Sequence, residues 1–128
     1  MSDLPTATGA GGIGVQATPV VVLGEAYAAS GVTPVTGSFT ATGQSGNFPP
    51  KAGRPFNVSV RGTFVGTVQL ERSFDGTNWF VASRDSAGTA AAWTAPMSVV
   101  VEEPEAGVLY RLNCTAYTSG TITYRMSQ

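Results

Sequence analysis

Carboxylates are the only side chains of this sequence that could support common hydrolytic chemistry. The 128 residues include no histidine, which removes the usual general base and excludes Ser-His-Asp and Cys-His nucleophiles. Paired carboxyl groups can hydrolyse glycosides, and the candidates are Asp75, Asp85 and the cluster Glu102, Glu103 and Glu105. Glu102 and Glu103 would point to opposite faces of a strand, while Asp75 and Asp85 lie in turn or loop sequence. The sequence therefore predicts a protein that is not an enzyme.

Two weaker ligand-binding patterns also occur. The glutamate cluster at 102–105 could bind Ca²⁺ together with backbone carbonyls, but no Asp-x-Asp-x-Asp-Gly loop accompanies it, so a solvated turn is the preferred interpretation. Gly9, Gly11 and Gly14 have the spacing of the Gly-x-Gly-x-x-Gly motif found in dinucleotide-binding folds. Because neither a strand before them nor a helix after them is predicted, the fingerprint fails its context test. We expect no metal site and no cofactor.

Composition narrows the partners and the compartment. Charged residues make up 12% of the chain and the net charge is −1, and the basic residues are scattered, so nucleic acid is not an expected partner. No apolar stretch approaches the roughly 20 residues of a membrane span, and no signal-peptide pattern is present. Cys114 is the only cysteine; it lies in an apolar run and is predicted to be buried.

Residues 55–128 carry the signature of a β-sheet domain. Phe56, Val58 and Val60 alternate with polar residues, which is the period-2 pattern of a strand with one buried face. Similar alternation recurs further along the chain, with turn sequences at 75–78, 104–107 and 118–120. These spacings predict an all-β fold, an antiparallel β-sandwich that is immunoglobulin-like or jelly-roll-like.

Residues 1–54 differ in character and are predicted to form an extended Gly/Pro-rich N-terminal arm. Asp3 and Glu25 are their only charges before Lys51. Short strands are predicted at 19–23 and 38–42, and a loop at 44–54 marks the domain boundary. The Gly-rich residues 8–14 offer little apolar surface to offset their ordering entropy. We therefore expect the arm to dock on other subunits, with Ile13 and Val15 at the interface; packing on its own sandwich is the alternative.

One local motif predicts a specific hairpin. Ser73, Asp75 and Gly76 stand at a turn between the strand at 67–72 and a strand that begins at Trp79. Asp-Gly suits a hairpin tip, and the Asp carboxylate can accept hydrogen bonds from backbone amides across the turn. The Trp79 ring is expected to fold over the base of the hairpin and to be buried there.

The hairpin carries two resemblances. Residues 73–79 resemble, one residue shorter, the Asp-box of sialidases and other propeller proteins, in which the box is a folding element; a single copy implies neither a propeller nor a glycosidase. The sequence of this hairpin, in which a strand ending in Glu-Arg-Ser is followed by Phe-Asp-Gly and then by Trp79, also resembles that of small virion proteins of tailed bacteriophages. Residues 56–72, 102–112 and 117–125 continue that likeness, which covers residues 55–128.

The phage resemblance implies a function. It predicts a structural protein of the virion, made in the host cytoplasm, most simply a capsid decoration protein. Its partners would be the major capsid protein or other virion subunits, and a homo-oligomer, with a trimer favoured, is expected. The alternative is a carbohydrate- or receptor-binding module of a fibre or tail, in which exposed aromatics, best Trp93 and then Tyr117 and Phe80, would stack on sugar rings. Packing of Trp93 into a core or a subunit interface is the preferred interpretation, because one aromatic makes a weak sugar platform.

Overall fold

Two antiparallel sheets pack into a β-sandwich in this computed structural model, which describes residues 28–128. In chain order the strands are β1 (Val35–Phe39), β2 (Gly43–Gln44), β3 (Phe56–Arg61), β4 (Phe64–Ser73), β5 (Phe80–Val81), β6 (Ala92–Trp93), β7 (Met97–Val101), β8 (Leu109–Gly120) and β9 (Ile122–Ser127). The first sheet has the order β1-β9-β3-β7, and the second has the order β2-β8-β4-β5, with β6 also paired to β4. The predicted all-β sandwich is confirmed.

The core lies between the sheets and is built by the predicted alternation. Phe56, Val58 and Val60 of β3 are buried, while the residues between them face outward. In the second sheet Leu70 pairs with Leu112 at the centre of the β4–β8 ladder, and both side chains are buried. Full burial of such an aliphatic side chain contributes about 1.5–3 kcal/mol. Cys114 is buried as predicted.

The sandwich begins before the predicted boundary at residue 55. β1 lies along β9, with Val35 opposite Met126, and β2 pairs with β8. In the predicted loop, Phe48 is fully buried and exchanges backbone hydrogen bonds with Tyr110, at 2.7 and 2.9 Å. Its ring centroid lies 5.4 Å from that of Phe56. The predicted strand at 38–42 is observed earlier, as β1. The predicted strand at 19–23, Ile13, Val15 and the Gly-rich stretch lie outside the described residues.

Two glycines form the corner at which the chain passes between the sheets. Gly62 joins β3 to β4 with φ of 120°, and Gly120 joins β8 to β9 with φ of 90°. A Cβ at Gly62 would collide with the carbonyl oxygen of Thr121, and one at Gly120 would collide with that of Thr63. The two connections therefore lie backbone to backbone, and both the positive φ and the close approach require glycine.

Candidate interaction surface

The β4–β5 hairpin is held by the side chains that the sequence singles out. Asp75 Oδ1 accepts hydrogen bonds from the backbone amides of Thr77 and Asn78, both at 2.8 Å. Ser73 Oγ donates to Asp75 Oδ1 at 3.0 Å and accepts from the amide of Gly76 at 2.8 Å. Hydrogen bonds from Asn78 and Thr77 hold the pKa of the Asp75 carboxyl well below its usual range. The predicted turn role of Asp75 is confirmed.

The prediction that Trp79 is buried is wrong. Its side chain is half-buried and lies outside the core. Leu70 and Leu112 point into the core, so their chain neighbours Glu71 and Arg111 point to the outer face of the second sheet. The Arg111 guanidinium lies 4.1 Å from the centroid of the Trp79 ring. Trp79 therefore covers an ion pair on the outside of the sheet rather than filling the sandwich.

Beneath Trp79, Glu71 accepts hydrogen bonds from three side chains. Gln69 Nε2 lies 2.6 Å, Arg111 Nε 2.8 Å and Asn113 Nδ2 2.9 Å from its carboxylate oxygens. Burial alone would raise the pKa of Glu71, but the hydrogen bonds from Asn113, Gln69 and Arg111 outweigh it, and the pKa is lowered from the ordinary 4.5. The carboxylate therefore remains charged and ties β4 to β8.

The glutamate cluster, predicted to be a solvated turn, is solvated only in part. Glu102 and Glu105 are exposed, whereas Glu103 is buried. Tyr110 donates its hydroxyl to Glu103 at 2.8 Å, the Glu105 amide donates at 3.0 Å, and Arg72 forms an ion pair with it. Burial raises the pKa of Tyr110 to about 12, with Glu103 adding to the rise. Burial opposes the charge on Glu103 itself, but these hydrogen bonds lower its pKa.

We expect the two buried carboxylates to make the fold acid-sensitive. Glu71 and Glu103 have folded-state pKa values below the ordinary 4.5, so the unfolded chain takes up protons first as the pH falls. Their stabilisation is complete above about pH 5 and is lost as the pH falls through the folded-state values. Urea unfolding between pH 7 and pH 3 should show this decline, with a shallower slope in the variant carrying Glu71→Gln and Glu103→Gln. An unchanged slope in that variant would contradict the assignment.

Two exposed aromatic side chains lie together at the hairpin. Phe74 and Phe80 are each 54% exposed, and these two residues are called the hairpin patch below. Val81 is 46% exposed, but it pairs with Glu71 and therefore points to the outer face of the sheet. The centroids of the two phenyl rings lie 6.1 Å apart, and the Arg72 guanidinium lies 5.0 Å from the centroid of the Phe74 ring. A depression of about 530 Å³ adjoins the patch and is bordered by Glu102 and the rest of its cluster.

Trp93 lies in a second depression, between the edges of the two sheets. It is half-buried and packs against the core, and its backbone pairs with Val68. This depression, the edge groove, has a volume of about 600 Å³ and is lined by Leu70, Ala91, Trp93 and residues 83–86 on one side and by residues 99–102 on the other. The carboxylate of Asp85, at its rim, accepts hydrogen bonds from the amides of Ala87 and Thr89, both at 3.0 Å.

Three of the five carboxylates considered for glycoside hydrolysis are thus engaged in the fold itself. Asp75 and Asp85 each accept hydrogen bonds from backbone amides of their own turn. Glu103 is buried and accepts hydrogen bonds from Tyr110 and the Glu105 amide. Among residues 28–128 no group of three or more His, Cys, Asp or Glu side chains is placed to hold a metal ion. No helix within the same range is long and apolar enough to cross a membrane.

Sequence reasoning did not identify the hairpin patch as a surface. Phe74 reads as part of the turn, Val81 as part of a strand at 79–83, and Phe80 only as a weaker candidate than Trp93 for stacking on a sugar. The available signal is that Phe80 and Val81 are adjacent apolar residues on a strand directly after a tight turn. Because adjacent strand residues point to opposite faces, at least one of the two must face away from the core.

Comparison of the chain with protein-family models, with curated proteins and with solved structures found no match.

Proposed function

We propose that this protein is a non-enzymatic structural component of a bacteriophage particle that decorates and stabilises the capsid. The hairpin patch is the observation that carries the proposal, because clustered exposed aromatics on a soluble domain mark a protein-binding surface. The resemblance of residues 55–128 to small virion proteins supplies the kind of partner, the major capsid protein or another virion subunit. In this proposal the N-terminal arm, with Ile13 and Val15, adds a second contact with neighbouring subunits.

The hairpin patch has the physical properties of a binding anchor. Because each phenylalanine is 54% exposed, a partner that covers it can remove on the order of 100 Å² from water. The turn beneath the rings is already fixed by Asp75 and Ser73, so binding orders little additional backbone. Such preorganisation lowers the entropic cost of association.

The rim of the patch indicates the chemistry of the partner. Glu102 and Glu105 are exposed beside it, and both border the adjoining depression. A matching surface would therefore offer an apolar pocket for Phe74 and Phe80, with basic side chains around it. Opposite charges at an interface rim speed association and fix orientation more than they add affinity.

Replacing both phenylalanines of the patch should abolish tight binding to capsids. We expect the double variant Phe74→Ser and Phe80→Ser to lose roughly 30-fold or more in affinity, since one aromatic anchor contributes about 2 kcal/mol or more. Co-sedimentation with purified empty capsids over a concentration series measures this loss.

The matched control is Val65→Ser, at a side chain that is 57% exposed and lies at the opposite end of β4. It should bind as the unmodified protein does. Wild-type binding by the folded double variant, or no binding of the unmodified protein to capsids, would refute the proposal.

A second candidate function rests on Trp93 in the edge groove. The groove combines an aromatic ring with the polar residues Arg84, Asp85 and Glu102, the mixture that carbohydrate sites use. In this alternative the protein is a glycan- or receptor-binding module of a fibre or tail. A glycan array distinguishes it: strong binding that is lost in Trp93→Phe, which preserves most of the packing, would favour this function over decoration.

A further inference from the structure

We infer that the outer face of the first sheet binds a phosphate or sulfate group between Arg61 and Arg125. The site lies on the side of the sandwich opposite Trp79 and Arg111, which occupy the outer face of the second sheet. The inference goes beyond the proposed function, because it requires neither the hairpin patch nor a particle.

The first sheet carries positive charge that it does not balance. Its strands β1, β3, β7 and β9 contain two charged residues, Arg61 and Arg125, and no acidic one. In the second sheet, by contrast, Arg72 and Arg111 each form an ion pair with a buried glutamate. The fold therefore neutralises the arginines of one sheet and leaves those of the other exposed, without an acidic partner among residues 28–128.

The strand register places the two arginines side by side. Arg61 of β3 pairs with Thr123 of β9, and Ser59 of β3 pairs with Arg125 of β9. Arg61 and Arg125 are therefore diagonal neighbours on one face, and the separation of about 7–8 Å between such residues is within reach of long side chains. Like charges this close repel each other, and an anion bound between them would remove the repulsion.

Hydroxyl groups surround the two guanidinium groups. On the other side of β9, Thr36 lies opposite Arg125 and Ser38 lies opposite Thr123. A depression of about 360 Å³ lies over this part of the sheet. Six residues that line it alternate with inward-facing residues of β1, β3 and β9, so that their side chains point outward. These six residues, called the basic face below, are Thr36, Ser38, Ser59, Arg61, Thr123 and Arg125.

Most N–H groups of the two arginines are available to a ligand. Arg125 Nε donates a hydrogen bond to Ser127 Oγ at 3.2 Å, which orients the guanidinium group on the sheet. Within residues 28–128, the Arg125 side chain makes no other hydrogen bond and the Arg61 side chain makes none. The Nη groups of Arg125 and the whole guanidinium of Arg61 can therefore donate to a bound anion.

The donors of the basic face match a doubly charged oxyanion. A guanidinium presents its N–H groups in a planar fork that fits the oxygens of phosphate, and serine and threonine hydroxyls can donate to the remaining oxygens. The charge of about −1.5 to −2 on a phosphate monoester at pH 7 balances two arginines, whereas one carboxylate does not. A polyanion such as nucleic acid would need a longer run of basic side chains. The ligand is therefore a single phosphate or sulfate group.

An NMR titration of the full-length protein with inorganic phosphate tests the inference. We expect saturable shifts of amide signals in β3 and β9, with a Kd on the order of 1 mM, and no saturation with chloride at the same ionic strength. Arg61→Gln should raise the Kd at least about tenfold, because it removes hydrogen bonds between charged groups. The control Arg84→Gln removes an equal charge from the edge groove. It should leave the Kd within about twofold, because distant exposed charges are largely screened.

A second probe identifies the source of the group. Phenyl phosphate presents the same phosphate as an ester, and inorganic sulfate should compete with both probes. Tighter binding of the ester than of inorganic phosphate would support a site for a phosphate carried by a larger ligand. Equal or weaker binding of the ester would support a site for the free ion.

Two results would overturn the inference. Shifts that grow linearly with phosphate and match those caused by chloride would show an effect of ionic strength alone. An unchanged Kd in the folded Arg61→Gln variant would place the bound phosphate elsewhere on the protein. Because neither readout involves capsids, failure here does not refute the proposed decoration function, and a failure of capsid binding does not refute the anion site.

Discussion

Replacing Phe48 with alanine is expected to lower the free energy of unfolding by about 3–5 kcal/mol, the cost of truncating a buried phenylalanine. Phe48 is fully buried although it stands in a loop. Its ring packs on Phe56, which in turn lies 4.9 Å from the ring of Tyr110. Loss of the ring would leave a cavity where the loop covers one end of the core. Urea unfolding with a two-state analysis measures the effect.

Phe74→Ala is the matched control because it removes the same ring from an exposed position. Its loss should stay below about 1 kcal/mol, the range for an exposed contact between an aromatic ring and a cation. A stability of Phe48→Ala within 1 kcal/mol of the unmodified protein would contradict the account, because residues 44–54 would then behave as a linker outside the core.

The second large effect is expected at Gly120. Alanine there should cost about 2–4 kcal/mol, because it combines a positive φ with a collision against backbone. The added Cβ would meet the Thr63 carbonyl and would lie 2.7 Å from the Cα of Phe64, neither of which can move without opening the corner between the sheets. Thermal and urea unfolding of Gly120→Ala measure the loss.

The variant Gly107→Ala separates the free-energy cost of a positive φ from the cost of a collision with the backbone. Gly107 has φ of 87°, close to the 90° of Gly120, but a Cβ there meets nothing within 4 Å. It should therefore cost only the conformational strain, about 1 kcal/mol. Equal losses in the two variants would show that the backbone contact between the two connections does not contribute to stability.

Short-range patterns predicted the fold class well because the sheets are made of regular alternation. The alternating residues of β3, and Leu112 and Cys114 of β8, face the core as their spacing requires. The hydrogen bonds of Ser73 and Asp75 within the turn are equally predictable, since their partners lie within five residues along the chain. Both signals are local, and local signals suffice to define a strand or a turn.

Burial that depends on distant strands could not be predicted in this way. Phe48 is flanked at strand spacing by Gly46 and Pro50, which do not favour strands, and its core position follows from its pairing with Tyr110, far along the chain. Glu103 looks like a solvated turn residue until Arg72 and Tyr110 are brought to it. The burial expected for Trp79 follows from its size, whereas the register of β4 and β8 places Arg111, which lies over its ring, on the outer face.

The proposed mechanism of action is one of shape rather than of reaction. The sandwich presents the hairpin patch on a turn fixed by hydrogen bonds, and two ionic networks tie the strands behind it. Glu71 and Arg111 support the outer face, and Glu103 and Arg72 lie next to the patch itself. A module built in this way holds its contact residues in place before a partner arrives.

Quantitative mass spectrometry of phage particles purified from cells that produce this protein tests the central claim most directly. The account predicts that the chain co-purifies with the particles at a fixed ratio to the major capsid protein and that the ratio survives a density gradient. Recovery of the chain only in the soluble fraction, with none bound to particles, would contradict it.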